Sequence, residues 1–165
     1  RMIIKNLGKN FFINSSLVIL IFLLDRISKI YVINLDKKFS GSEIFTSKYL
    51  NISLIWNEGI AFGLLSFDHT NLYNFLTILI ILIIYFIFMM TLKSYGLKKI
   101  ALIMILGGAL GNAFDRILYK AVPDFIDFHI GNFHWFIFNV SDIFITFGVI
   151  MMIILEIVDK PKITT

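Results

Sequence analysis

The chain has 165 residues, 58% of them hydrophobic and 16% charged. A soluble domain of this length has too high a surface-to-volume ratio to hide that much apolar side chain, so lipid must cover the remainder, and one domain spanning 1–165 fits the length. The absence of cysteine excludes disulfides, thiolate metal sites and cysteine nucleophiles, and the net charge of +4 comes from lysines scattered near segment ends rather than from a nucleic-acid-binding patch.

The first apolar run covers 11–33. Lys5 and Lys9 ahead of it imitate a signal peptide, but the run is too long, and Asp25, Arg26 and Lys29 stand where a small-residue cleavage site would be. It reads as a retained span. In the connection 34–71, Leu50, Ile52, Leu54 and Trp56 alternate with Asn51, Ser53, Ile55 and Asn57, a period of two that predicts a strand. Runs at 72–92 and 97–118 follow, separated by a short basic turn. The connection 119–138 is aromatic and β-branched from Phe128 to Phe138, and a fourth run covers 139–158. Each run approaches the ~20 residues that cross a hydrocarbon core. The predicted fold is an all-α membrane protein of four transmembrane helices with a small extracytoplasmic β platform and loop, and with Trp56 and Trp135 in the headgroup belt.

Lysine and arginine placement orients the chain. Lys5 and Lys9, then Lys93, Lys98 and Lys99, then Lys160 and Lys162 fall on one side of a four-span protein. The positive-inside rule makes that side cytoplasmic, together with both termini. Polar residues inside the spans then converge near the outer interface: Asp25, Arg26 and Lys29 in the first, Asn112, Asp115 and Arg116 in the third, Asn139 and Asp142 in the fourth, with Asp124 just before it. Charge at the bilayer centre costs roughly 2.5–3.5 kcal/mol, so each such group calls for an account. Gly108, Asn112, Asp115 and Arg116 share one helical face. Gly107 and Gly111 form a GxxxG that permits close helix approach or close substrate approach.

The reactive inventory is short. No histidine is placed to activate Ser141, His129 and His134 are five apart and so poorly spaced for one helical face, and no HExxH occurs, so no metal site is expected. Carboxylates, amides and an arginine remain. Two carboxylates in a low-dielectric site cannot both ionise easily, and a pair sharing one proton can hydrolyse an amide without a metal. Asp115 beside Arg116, and Asp25 four residues before Lys29, also read as structural ion pairs. Asp127 reads as a solvated loop acid. Asp124 and Asp142 have no sequence neighbour of opposite charge.

Five segments resemble, in order, the motifs of the lipoprotein signal peptidases (signal peptidase II). They are Asp25-Arg26-Ile27-Ser28-Lys29, Asn57 to Gly63, Gly107 to Arg116, Val122 to Asp127, and Phe138-Asn139-Val140-Ser141-Asp142. The resemblance implies an aspartic endopeptidase of the bacterial cytoplasmic membrane. It would remove signal peptides from diacylglyceryl-modified prolipoproteins near the outer face, without a cofactor and as a monomer. It also implies that Asp124 and Asp142 are the catalytic dyad and that Asn112, Arg116, Asn139, Asn57 and Gly108 bind substrate. Asp25, Lys29 and Asp115 would support the site, and part of 34–71 would close as a lid. Pro123 and Ser141 depart from the family's usual Val and Ala. The rival from another class is a small four-span transporter, which would place its site near the midplane on broken helices.

Overall fold

Four helices and one antiparallel sheet form the chain in this computed structural model, which describes residues 2–39, 41, 43–59 and 70–158. In order they are α1 (Met2–Lys38), β1 (Phe45–Thr46), β2 (Leu50–Asn57), α2 (Thr70–Lys93), α3 (Gly96–Tyr119), β3 (Val122–Ile130), β4 (Phe133–Phe138) and α4 (Val140–Val158). Over Tyr73–Lys93, Gly96–Tyr119 and Val140–Val158 the helices are long and apolar enough to cross a membrane. The first apolar run lies inside α1, which continues to Lys38, five residues past its expected end at 33.

The helices differ in what covers them. α2 is apolar on all sides, and Phe75, Ile83, Tyr85 and Phe88 are exposed at different angles around it. A helix apolar all round with protein over one side alone needs lipid on the rest. α3 packs against α1, α2 and α4. Its buried positions are aliphatic in the first half, with Leu102, Ile103 and Leu106, and small or polar further on, with Gly107, Gly108, Gly111, Asn112, Ala113 and Asp115. A Cβ at Gly107 would lie 2.8 Å from the Ile21 side chain of α1, and one at Gly108 would lie 2.5 Å from the Ser141 carbonyl oxygen of α4. The two glycines therefore let two neighbouring helices close on α3 at backbone distance.

The strands run in the order β1-β2-β3-β4, all antiparallel. β2 is the strand predicted from alternation, but the alternation does not set one apolar face. Between Ile52 and Ile55 the register slips by one residue on β2. A bulge of this kind reverses which face later residues take, so Asn51 and Asn57 point to opposite sides. β4 carries a second extra residue opposite the Asp127–His129 stretch of β3. β3 itself stays regular, so Asp124 and Asp127, three residues apart, also face opposite ways. Gly131, at φ +60, makes the tight turn between Ile130 and Phe133.

Two placements differ from the sequence reading. Asp124 lies in β3 rather than in a connection. Asp127 is not a solvated loop acid: it is 5% exposed, in the same strand, with His134 Nδ1 at 2.8 Å from its Oδ2. Pro123 fits because β4 pairs with β3 only from Ile126 onward, leaving the Pro123 stretch with a strand neighbour on one side only.

Candidate active site

The site is built where β4 gives way to α4. Asn139 occupies the N-cap position of α4, and its Oδ1 accepts from the Asp142 N–H at 3.2 Å. Asp142 replies, its Oδ2 accepting from the Asn139 N–H at 3.1 Å. This reciprocal pair is a capping box with Asn and Asp in place of the commoner Ser and Glu. It fixes the Asp142 carboxylate over the helix N-terminus, where the helix dipole favours negative charge. Asp25 of α1 adds a cap from another helix: its Oδ1 accepts from the Ser141 N–H at 3.0 Å.

The remaining Asn139 group reaches the second acid. Its Nδ2 donates to Asp124 Oδ1 at 2.6 Å, and Asn57 Nδ2 from β2 donates to Asp124 Oδ2 at 3.0 Å. Asp142 Oδ1 accepts from Asn112 Nδ2 at 2.7 Å. Both carboxylates line one cavity of about 230 Å³ with Asn57, Asn112, Arg116 and Thr146. Burial, and then the charge of Asp142 beside it, push the Asp124 carboxyl up to about 6, against the hydrogen bonds from Asn57 and Asn139.

Behind the cavity a buried network sets the direction of Asn112. Lys29 is fully buried, and its Nζ donates to Asp25 Oδ2 at 2.9 Å, Asn112 Oδ1 at 2.8 Å and Asp115 Oδ2 at 2.6 Å. An ammonium has three N–H donors, and all three are used. With Oδ1 held by Lys29, Asn112 must turn its amide N–H toward Asp142. Arg26 pairs with Asp115 and, at 3.3 Å, with Asp25, while its guanidinium lies 5.0 Å over the Phe114 ring. Desolvating a lysine costs several kcal/mol, which only such a complete set of partners offsets.

The structure thus joins Asp124, Asp142, Asn57, Asn112 and Arg116 around one cavity, holds the fully buried Asn139 between the two acids without placing it in the lining, and gathers Asp25, Lys29 and Asp115 behind it. Asp115 pairs with Lys29 and Arg26, not with its neighbour Arg116 as its sequence position suggested. Gly108 sits at the contact of α3 with Ser141 and Ile145 of α4 and is not among the residues lining the cavity. Positions 60–63 of the second motif and the central part of the expected lid lie outside the described residues. Sequence reasoning missed Tyr73 of α2, whose hydroxyl donates to the Arg116 carbonyl oxygen at 3.0 Å. A tyrosine at a span end reads as an interface anchor, so only the fold gives it a partner.

Comparison with known proteins agrees with this geometry. The family model described as signal peptidase (SPase) II matches residues 17–158. The chain belongs to the signal peptidase II family. It is therefore a protease, and its apolar helices make it a membrane protein. The lipoprotein signal peptidase of Pelagibacter ubique (strain HTCC1062) is 47% identical over 154 residues, covering 93% of each chain. That of Francisella tularensis subsp. novicida (strain U112) is 42% identical, over 88% of this chain and 92% of its own. That of Anaplasma marginale (strain Florida) is 35% identical, over 88% and 84%. Two solved structures, both bacterial membrane enzymes, superpose with TM-scores of 0.74 and 0.69 at 30% and 28% identity, covering 89% and 92% of this chain and 94% and 93% of theirs. As a signal peptidase II, the chain has a polar cavity between α3, α4 and β3 in which its chemistry can be sought.

Proposed function

We propose that this peptidase removes the signal peptide from diacylglyceryl-modified prolipoproteins by an aspartic mechanism, with Asp124 and Asp142 as the catalytic pair. The observation that carries the reading is the residue the two acids share: Asn139 binds Asp142 through its backbone N–H and Asp124 through its side-chain amide. One carboxylate takes a proton from water as the oxygen attacks the scissile carbonyl carbon. The protonated partner gives its proton to the carbonyl oxygen; as the C–N bond breaks, the first carboxyl passes the proton it took from water to the leaving amine, and the partner recovers its own from the collapsing diol. The raised Asp124 carboxyl supports this, since a shared proton is what such a pair needs. Asn57, Asn112 and Arg116 offer amide and guanidinium groups to the substrate backbone, while the buried Asn139 acts by holding the two acids together and Gly108 by letting α4 close on α3. Asp25, Lys29 and Asp115 hold the site in place.

In the same reading α1 is a fourth span and 1–165 one peptidase domain, monomeric in the bacterial cytoplasmic membrane, with both termini cytoplasmic and the cavity near the outer face. Exposed Phe11, Phe12, Ile19, Leu20, Leu23 and Leu24 on α1 support lipid around it. A cavity of about 540 Å³ on the hairpin side of the sheet, lined by Tyr49, Phe128, Phe133 and Trp135 among others, offers apolar surface to acyl chains. Each CH₂ buried there is worth ~0.8 kcal/mol. The transporter reading lacks support, because the paired acids sit at helix and strand ends and α2 carries no acid.

The test is cleavage by purified protein in detergent of a labelled diacylglyceryl prolipoprotein and of its unmodified precursor, each with and without EDTA. The modified substrate alone should be cut, equally with and without chelator. Equal cutting of both substrates would remove the lipid from recognition, and loss on chelation would remove the metal-free mechanism.

A further inference from the structure

The face of the sheet opposite the catalytic cavity carries a second polar group that peptide hydrolysis does not use. Asp127 and His129 of β3 lie on it, and His134 of β4 is the cross-strand partner of His129. The two imidazoles stack with centroids 5.0 Å apart. The extra residue in β4 is what aligns His134 with this face. One ligand atom from each of the three side chains lies within 4.8 Å of the other two.

A plain Asp–His pair accounts for only part of this. It uses Asp127 Oδ2 and His134 Nδ1. Asp127 Oδ1 and His129 Nδ1 are buried without a hydrogen-bond partner, and so is Oδ1 of Asn51, which sits directly across from Asp127 on β2. Each orphaned group loses its hydration without a hydrogen bond in return. Around Lys29 the atoms left without a hydrogen bond are Arg26 Nε, the Ser141 hydroxyl and Asp115 Oδ1, and that carboxylate oxygen is ion-paired with Arg26; Asp127 Oδ1 has no such cation. The common remedy for a buried carboxylate oxygen beside two imidazole nitrogens is a cation.

We propose that Asp127, His129 and His134 form a binding site for a divalent first-row transition ion of the zinc class, bordered by Asn51 and separate from the peptide-cleaving pair. The donor set selects the ion: two imidazoles with one carboxylate suit Zn²⁺ and its neighbours, whereas Ca²⁺ and Mg²⁺ take oxygen sets. Bonds of about 2.0–2.2 Å require the ligand atoms to close by roughly an ångström. The His134 side chain, 53% exposed, has the freedom to do so and provides the entry path. The bound ion clamps β3 to β4 near their turn. The spacing argument against a metal fails because five residues cannot share a helical face but do meet across a two-residue hairpin turn.

The experiment uses tag-free, chelator-stripped full-length protein in detergent. It is titrated with Zn²⁺ by calorimetry and with Co²⁺ by visible absorption, and its unfolding is followed by heating. One equivalent should bind, Co²⁺ should show the absorption of a nitrogen-ligated site, and Zn²⁺ should raise Tm. His134→Ala, at an exposed position, and the isosteric Asp127→Asn should each weaken binding on the order of tenfold or more and abolish the Tm increase. Both should still cleave prolipoprotein, with or without EDTA. Absence of stoichiometric binding, or binding equally tight in both variants, would overturn the proposal. Inhibition by EDTA that neither variant reproduces would place the ion elsewhere and overturn it too, while leaving the Asp124 and Asp142 assignments to their own test.

Discussion

The two faces of β3 carry polar clusters that are completed in different ways. On the Asp124 face, each of the four carboxylate oxygens of Asp124 and Asp142 accepts a hydrogen bond from an asparagine, and the Lys29 ammonium behind them has all three of its donors used. On the Asp127 face, Asn51, Asp127 and His129 each keep a buried atom with no partner. The first network leaves Arg26 Nε and the Ser141 hydroxyl without a partner but gives every carboxylate oxygen one, and it aims the acids; the second leaves a buried carboxylate oxygen with none and calls for something from outside the chain.

The largest way to break the first cluster is Lys29→Met. It leaves Asp25 and Asp115 buried beside Arg26 alone, and losing one partner of a buried ion pair costs about 3–5 kcal/mol. Thermal unfolding in detergent should show that loss, and cleavage should vanish because Asn112 is free to turn. Unchanged Tm and activity would mean that Lys29 does not aim Asn112. Gly111→Ala comes next. Its Cβ would meet Asp25 Oδ2 at 2.6 Å and press on the Ser141 hydroxyl. Overpacking of this kind costs about 1–3 kcal/mol, and the displaced start of α4 should slow cleavage more than it lowers Tm.

A smaller effect sharpens the comparison by titration. The Asp124 carboxyl is raised from 3.8 to about 6, so the folded protein holds this proton more tightly than the unfolded chain. Its contribution to stability is full below pH 3.8 and is lost as pH rises to about 6. Carboxyl-labelled NMR should find the midpoint near the upper value, and Asp142→Asn should lower it by removing the neighbouring charge; a midpoint unmoved by that variant would separate the two acids. Smallest of all, Ser141→Ala removes a buried hydroxyl that lacks a partner. It should change stability by no more than about 1 kcal/mol, in the stabilising direction, with cleavage unaltered.

Much of the site was legible because helical spacing is rigid. Asn112, Asp115 and Arg116 on α3, and Asn139 and Asp142 at the start of α4, stand where their sequence intervals put them. The hydrophobic runs likewise marked α2, α3 and α4 to within a few residues. What the intervals could not carry was anything that depends on which segments pair. Asp115 chose Lys29 and Arg26, 86 and 89 positions earlier, over the adjacent Arg116. One extra residue in β2 and another in β4 decided the facing of Asn51, Asn57 and His134. A bulge leaves no mark in a period-two pattern until the partner strand is known, and for the same reason the grouping of Asp127 with two histidines was invisible.

The central claim is that Asp124 and Asp142 act as one catalytic unit. It is tested most directly by single-turnover cleavage of a diacylglyceryl prolipoprotein with Asp124→Asn, Asp142→Asn and the double variant, each first shown to unfold at close to the wild-type Tm. The account predicts that either single substitution abolishes cleavage as completely as both together. A folded single variant that cuts at the wild-type rate would contradict it.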